Sequence, residues 1–148
     1  MPSPASRPLR LEVLPSLLAV CRLGADDPLP DWALANTFLS ITRTSDELSV
    51  VCLQEAVPPE IRFEKGWKCL KVEGPLDFSE IGILASLTSI LATAGVSLFA
   101  LSTFDTDYIL VKEGDLQMAE TQLGEAGHRV NWPDKDAAPL DSSAKASR

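Results

Sequence analysis

The chain has 148 residues, 45 % of them apolar, and carries a formal net charge of −8. That is enough apolar material for one compact domain or two very small ones sharing a core. The acidic balance argues against nucleic acid as a partner, because a binder needs a basic stripe to displace counterions from phosphate, and no run of Lys and Arg occurs. No apolar stretch approaches the roughly 20 residues of a membrane-spanning helix. The opening MPSPASRPLR lacks the apolar segment of an export signal, so a cytoplasmic protein is expected. Cys21, Cys52 and Cys69 are odd in number, lack C-x-x-C spacing and each lie in an apolar strand-like run, which predicts buried free thiols. A single histidine, His128, excludes a His-rich metal site.

In chain order, residues 1–10 read as a tail. Leu17 to Arg22 reads as a strand. PDWALAN, from Pro30, has room for only a short helix. Phe38 to Val51 reads as a strand, a polar turn and a strand. QEAVPPEI, from Gln54, is a helix cut short by Pro58 and Pro59. Trp67 to Val72 is again a strand, ended by Gly74-Pro75. A helix follows with Ile83, Leu84, Leu87, Ile90, Leu91 and Ala94 in one stripe, and small polar residues (Ser86, Ser89, Thr93) behind it. Asp77 and Glu80 form a variant capping box, and Gly95 stops the helix. Val96–Ser102 and Asp107–Val111 make a hairpin around Thr103–Thr106. A second helix starts at Asp115 with Leu116, Ala119 and Leu123 inside, Gly127 closes it, and His128–Asn131 form a last strand. Residues 133–148 are a second tail.

The order from Trp67 is β-α-β-β-α-β, the split unit of a ferredoxin-like sheet with both helices on one face. Its strands are apolar on both sides, whereas a sheet with one solvated face alternates apolar and polar residues. Something therefore covers the second face, either within the chain or from a second subunit. An internal candidate exists. FLSITRTSDELSVV aligns without a gap on LFALSTFDTDYILV, with Thr42 on Ser102, Asp46 on Thr106, Glu47 on Asp107 and Val51 on Val111. This predicts an internal duplication. The fold class is α+β, with two tandem βαββαβ units and an antiparallel sheet. Residues 11–66 form a degenerate first unit and residues 67–132 a complete second one.

The segment GPLDFSEIGILASLTSILATAGVSLFALSTFDTDYILV resembles the ACT-domain family. RTSDELSVVC and PDWAL resemble a branch of small bacterial proteins with paired ACT-like units, related to the cytosolic arginine sensors of the animal TORC1 pathway. The resemblance spans roughly Leu11 to Val130 and implies amino-acid binding at an interface between ACT units. The ligand elements it implies are Ser79, Glu80, Ile81, Gly82 and Ile83 at the entry to the helix, and Ser102, Thr103, Phe104, Asp105 and Asp107 in the hairpin. Residues around Thr44 to Glu47 are expected to add selectivity.

The chemistry of these residue types agrees with that assignment. A helix N-terminus presents unpaired N–H groups to an α-carboxylate. Gly82 leaves room for close approach to the backbone. Asp105 and Asp107 can receive an α-ammonium, and Phe104 can cover an apolar stem. Each also has a plainer role: Asp105 forms turns well, Gly82 permits tight packing, and Asp77 and Glu80 cap helices. No nucleophile with a partner and no glycine-rich phosphate loop is present, so catalysis, a cofactor and a metal are not expected. The expected protein is an amino-acid-binding regulatory sensor, a homodimer that acts on a protein target. The alternative is a dimerising scaffold without a ligand.

Overall fold

The computed structural model describes residues 7–74 and 82–132. The chain divides into two compact units: residues 15–67 in one, and residues 7–14 with the described residues from 68 onward in the other. The boundary falls inside one strand.

The N-terminal unit contains β2 (Leu18–Leu23), the four-residue helix α1 (Asp31–Leu34), β3 (Leu39–Arg43), β4 (Leu48–Leu53), a 3-10 turn (Gln54–Ala56) and the first half of β5 (Arg62–Val72). Its strands run antiparallel in the order β3-β4-β2-β5, the arrangement of a βαββαβ sheet. Both helical positions are eroded, as PDWALAN and QEAVPPEI predict. The short α1 is tied down by Asn36. Its amide donates to the Trp32 carbonyl at 2.9 Å, and its side-chain oxygen accepts the Leu53 N–H at 2.8 Å. Ala19, Cys21, Leu48, Val50 and Cys52 alternate along β2 and β4 onto one face and pack with Ala33. A bulge between Leu18 and Val20 breaks the β2–β5 register, and there the Gly66 N–H donates to the Gln54 side chain at 2.6 Å.

The C-terminal unit holds the second half of β5, α2 (Ile83–Thr93), β6 (Leu98–Ser102), β7 (Asp107–Lys112), a 3-10 turn (Glu113–Asp115), α3 (Leu116–Glu125) and β8 (Arg129–Asn131). β7 lies between β5 and β6. On the other side of β5 stands β1 (Arg10–Val13), antiparallel to β5 and parallel to β8. Residues 11–14, grouped by sequence with the N-terminal unit, thus pair inside the C-terminal sheet, between its first and last strands. Arg10, assigned by sequence to the tail, opens that strand. Leu9, Leu11 and Val13 join Leu70, Val72, Ile83, Leu87, Leu91, Ile109, Val111, Leu116, Ala119 and Leu123 in one core.

Of the predicted stripe of α2, Ile83, Leu87 and Leu91 are buried while Leu84, Ile90 and Ala94 are partly buried against the same core, and α3 buries Leu116, Ala119 and Leu123. Each helix ends in a pair of reverse hydrogen bonds around a left-handed glycine. Gly95 and Val96 donate to Ala92 and Leu91, and Gly127 and His128 donate to Gly124 and Leu123. Asp115 occupies the N-cap position of α3 without a side-chain cap bond, because the 3-10 turn leads straight into the helix. Ile109 and Val111 face the helices, while Leu110 between them is also fully buried. Both faces of β7 are therefore dry.

Candidate functional site

The β6–β7 hairpin is the best-defined part of the candidate site. Its register sets Leu98 opposite Val111 and Ser102 opposite Asp107. The Ser102 hydroxyl donates to the Asp107 carboxylate at 2.6 Å across the mouth of the turn. In the turn, the Thr103 N–H donates to the Thr106 carbonyl at 2.8 Å, and the Thr103 hydroxyl donates to the same oxygen at 3.0 Å. Thr106 is buried, and its hydroxyl donates to the Val72 carbonyl at 2.6 Å, which fastens the turn to the end of β5. Phe104 sits at the tip with 79 % of its surface exposed. An aromatic ring held that far out on a pinned turn, with Asp105 beside it, offers an apolar face next to negative charge.

The helix entry is only partly described. Ser79, Glu80 and Ile81, like the capping pair Asp77 and Glu80, lie outside the described residues. Gly82 is the N-cap of α2 in the left-handed conformation, φ +79°, which glycine adopts without strain. The Ser86 N–H donates to its carbonyl at 2.8 Å. Ile83 is 6 % exposed and packs into the core, so its side chain is structural and only its backbone N–H is available to a ligand.

The structure corrects the internal alignment by one residue. In the β3–β4 hairpin Arg43 faces Leu48, whereas in β6–β7 Ser102 faces Asp107. The equivalence is therefore Arg43 with Ser102, Thr44 with Thr103, Asp46 with Asp105 and Leu48 with Asp107. The turns agree with this registration. The Thr44 N–H donates to the Glu47 carbonyl at 2.9 Å, as the Thr103 N–H does to Thr106. The 3-10 turns Gln54–Ala56 and Glu113–Asp115 obey the same offset. The N-terminal hairpin keeps the threonine turn and, in Asp46, the counterpart of Asp105, but not the other members of the group. Ser45 replaces Phe104, Leu48 replaces Asp107, and Arg43 reaches instead to the carbonyls of Ala25 and Asp27.

An open groove of about 360 Å³ lies between α2 and α3, lined by Ser89, Ile90, Thr93, Gln122, Glu125 and Ala126. It uses the small polar back of α2, and none of the predicted site residues lines it. Among the described residues, no group of three or more His, Cys, Asp or Glu side chains could hold a metal ion. No helix there is long and apolar enough to cross a membrane.

Comparison with known proteins assigns the class. Residues 62–124 match the family model described as an ACT domain, a regulatory class that binds small molecules, and residues 17–60 match a separate N-terminal domain model. The chain is 38 % identical to the crystal structure of Atu0741 from Agobacterium tumefaciens. That match covers 91 % of this chain and 98 % of the other, with a TM-score of 0.82. The chain belongs to the same family as this Agobacterium protein.

Two more distant neighbours share the fold alone. A Vibrio cholerae protein of unknown function, described as a possible transport protein, is 19 % identical, with a TM-score of 0.69 over 84 % of this chain and 94 % of its own. The regulatory subunit of aspartate kinase from Thermus thermophilus is 12 % identical, with a TM-score of 0.53 over 77 % of this chain and 96 % of that one. No curated protein matches the sequence.

Proposed function

We propose that the protein is a non-catalytic amino-acid sensor that binds its ligand at the Ser102–Asp107 hairpin, with the N-terminus of α2 as the carboxylate site. The observation that carries this is the pinned turn: Thr106 bonded to Val72, Ser102 bonded to Asp107, and Phe104 projecting beside them. Asp107 and Asp105 receive the α-ammonium, Phe104 covers the side-chain stem, and the N–H groups at Gly82 and Ile83 meet the carboxylate. Support comes from the ACT-domain match, which includes the whole hairpin. The fold is shared with the regulatory subunit of an aspartate kinase. The relation to the arginine sensors of the TORC1 pathway, a homodimeric state in the cytoplasm and a protein target belong to the same proposal.

A thermal-shift screen against the twenty amino acids at millimolar concentration tests it, with Asp107→Ala alongside. A ligand at a hundredfold its Kd adds about 2.7 kcal/mol to stability, which shows as several degrees in Tm. One or two amino acids should shift the wild type and leave Asp107→Ala unmoved. A flat screen would favour the scaffold, and equal shifts in both proteins would remove Asp107 from the site.

A further inference from the structure

A second polar feature lies on the N-terminal unit. Thr42 faces Ser49, Ser49 faces Arg22, and Arg22 faces Arg62, so four strands contribute one row of side chains on one face. Three of the four are exposed and Ser49 is half-buried. Like charges directly opposite one another in a sheet repel. Another pair of this kind, Arg10 beside Arg129, has Glu73 on the far side of Arg10, where the Glu73 N–H donates to the Arg10 carbonyl. The row of Arg22 and Arg62 contains only hydroxyls. On the same face Glu64 stands two residues along β5, opposite Val20.

Arg22 is also fixed in place. Its guanidinium donates to the carbonyls of Asp46 at 3.0 Å and Leu23 at 3.3 Å, which leaves further N–H groups free to bind. A guanidinium held by carbonyls gains orientation without losing charge. Arg22 so held, with Arg62 opposite it and two hydroxyls in the same row, supplies the charge and donors that suit a phosphate dianion, which accepts bidentate bonds from arginine and single bonds from hydroxyls. The overall charge of −8 makes the row a local exception rather than part of a basic surface.

We infer that Thr42, Ser49, Arg22 and Arg62 form a binding site for a phosphate dianion, either free or as a small phosphate ester. The site is independent of the amino-acid site and can stand if that proposal fails. The test is titration of the full chain with inorganic phosphate and, separately, with glycerol 3-phosphate, followed by amide and guanidinium NMR shifts, with chloride at matched ionic strength. Saturable shifts at these four residues are expected, weakened about tenfold or more by Arg62→Gln. Arg129→Gln, which removes the same charge elsewhere, should leave them unchanged. Ser49→Ala, should Arg62→Gln perturb the fold, should weaken binding by a smaller factor. Tighter binding of the ester assigns the site to phosphate esters, and tighter binding of phosphate assigns it to the free ion. Shifts that chloride reproduces, or equal losses in Arg62→Gln and Arg129→Gln, would overturn the inference.

Discussion

At the scale of single residues, His128 and Thr106 carry structure that their residue types do not announce. The buried His128 ring accepts the Leu9 N–H at Nδ1, 3.1 Å away, so the neutral ring carries its proton on Nε2. Burial lowers its pKa below the ordinary 6.5. Protonation would turn the acceptor into a donor aimed at another donor. The unfolded chain then takes up a proton near 6.5 while the folded chain resists, so stability is full above 6.5 and falls as the pH drops toward the folded pKa. Against His128→Ala, wild type should be about 1–3 kcal/mol more stable at pH 8, with the gap closing toward pH 5 in urea melts. A gap that stayed constant with pH would show that the histidine acts by packing alone. Thr106→Val keeps the shape and removes the bond to Val72, leaving a buried carbonyl short of a donor. It should lower stability by about 1–2 kcal/mol, while Thr106→Ser should lower it less.

At the scale of elements, the helix ends make the sharpest prediction. Gly95 has φ +80°, and a Cβ built there meets no atom within 4 Å. Gly95→Ala therefore tests backbone conformation without a clash, and should cost about 1–2 kcal/mol in a denaturant melt. Gly95→Asn should cost less, since asparagine tolerates the left-handed region better. A neutral Gly95→Ala would mean the helix end refolds around the substitution. α2 and α3 were legible in the sequence because their apolar spacing has one solution, and the β6–β7 hairpin because the polar run Ser102–Asp107 marks its turn. The hairpin duplication was visible too, but not its register. Leu48, Val50, Val51, Cys52 and Leu53 are all buried, so apolar residues sit on both faces of β4 and a slip by one residue leaves the hydrophobic pattern nearly intact. Only the turn hydrogen bonds fix it. β1 was illegible for another reason. RLEV is too short to declare a strand or a partner, and its pairing with β8 spans nearly the whole chain. Of the candidate site, the hairpin residues could be read from S-T-F-x-x-D. The bond from Thr106 to Val72 could not, because it depends on where the end of β5 stops.

At the scale of the whole molecule, the cysteines provide a separate reporter for each unit. Cys21 and Cys52 lie in the core of the N-terminal unit, and Cys69 lies in the C-terminal unit. All three are at most 1 % exposed. Burial pushes the Cys69 thiol up to about 12. Cys52 is raised as the thiol that donates to Cys21, and Cys21 is lowered as the acceptor. A thiolate must form and meet reagent in water, so labelling at neutral pH requires opening rather than surface reaction. Native protein should show no fast-reacting thiol, and denatured protein three. Leu11→Ala removes a fully buried side chain of β1 and should cost the C-terminal unit about 2–5 kcal/mol. If the units open separately, this substitution will speed labelling of Cys69 and leave Cys21 and Cys52 slow. If they open together, all three will speed up by one factor. Mass spectrometry of the labelled peptides distinguishes the two results. Fast labelling of Cys69 alone would also mean that the candidate hairpin, tied to β5 through Thr106, can loosen while the N-terminal sheet stays folded, which is the kind of mobility a ligand could suppress.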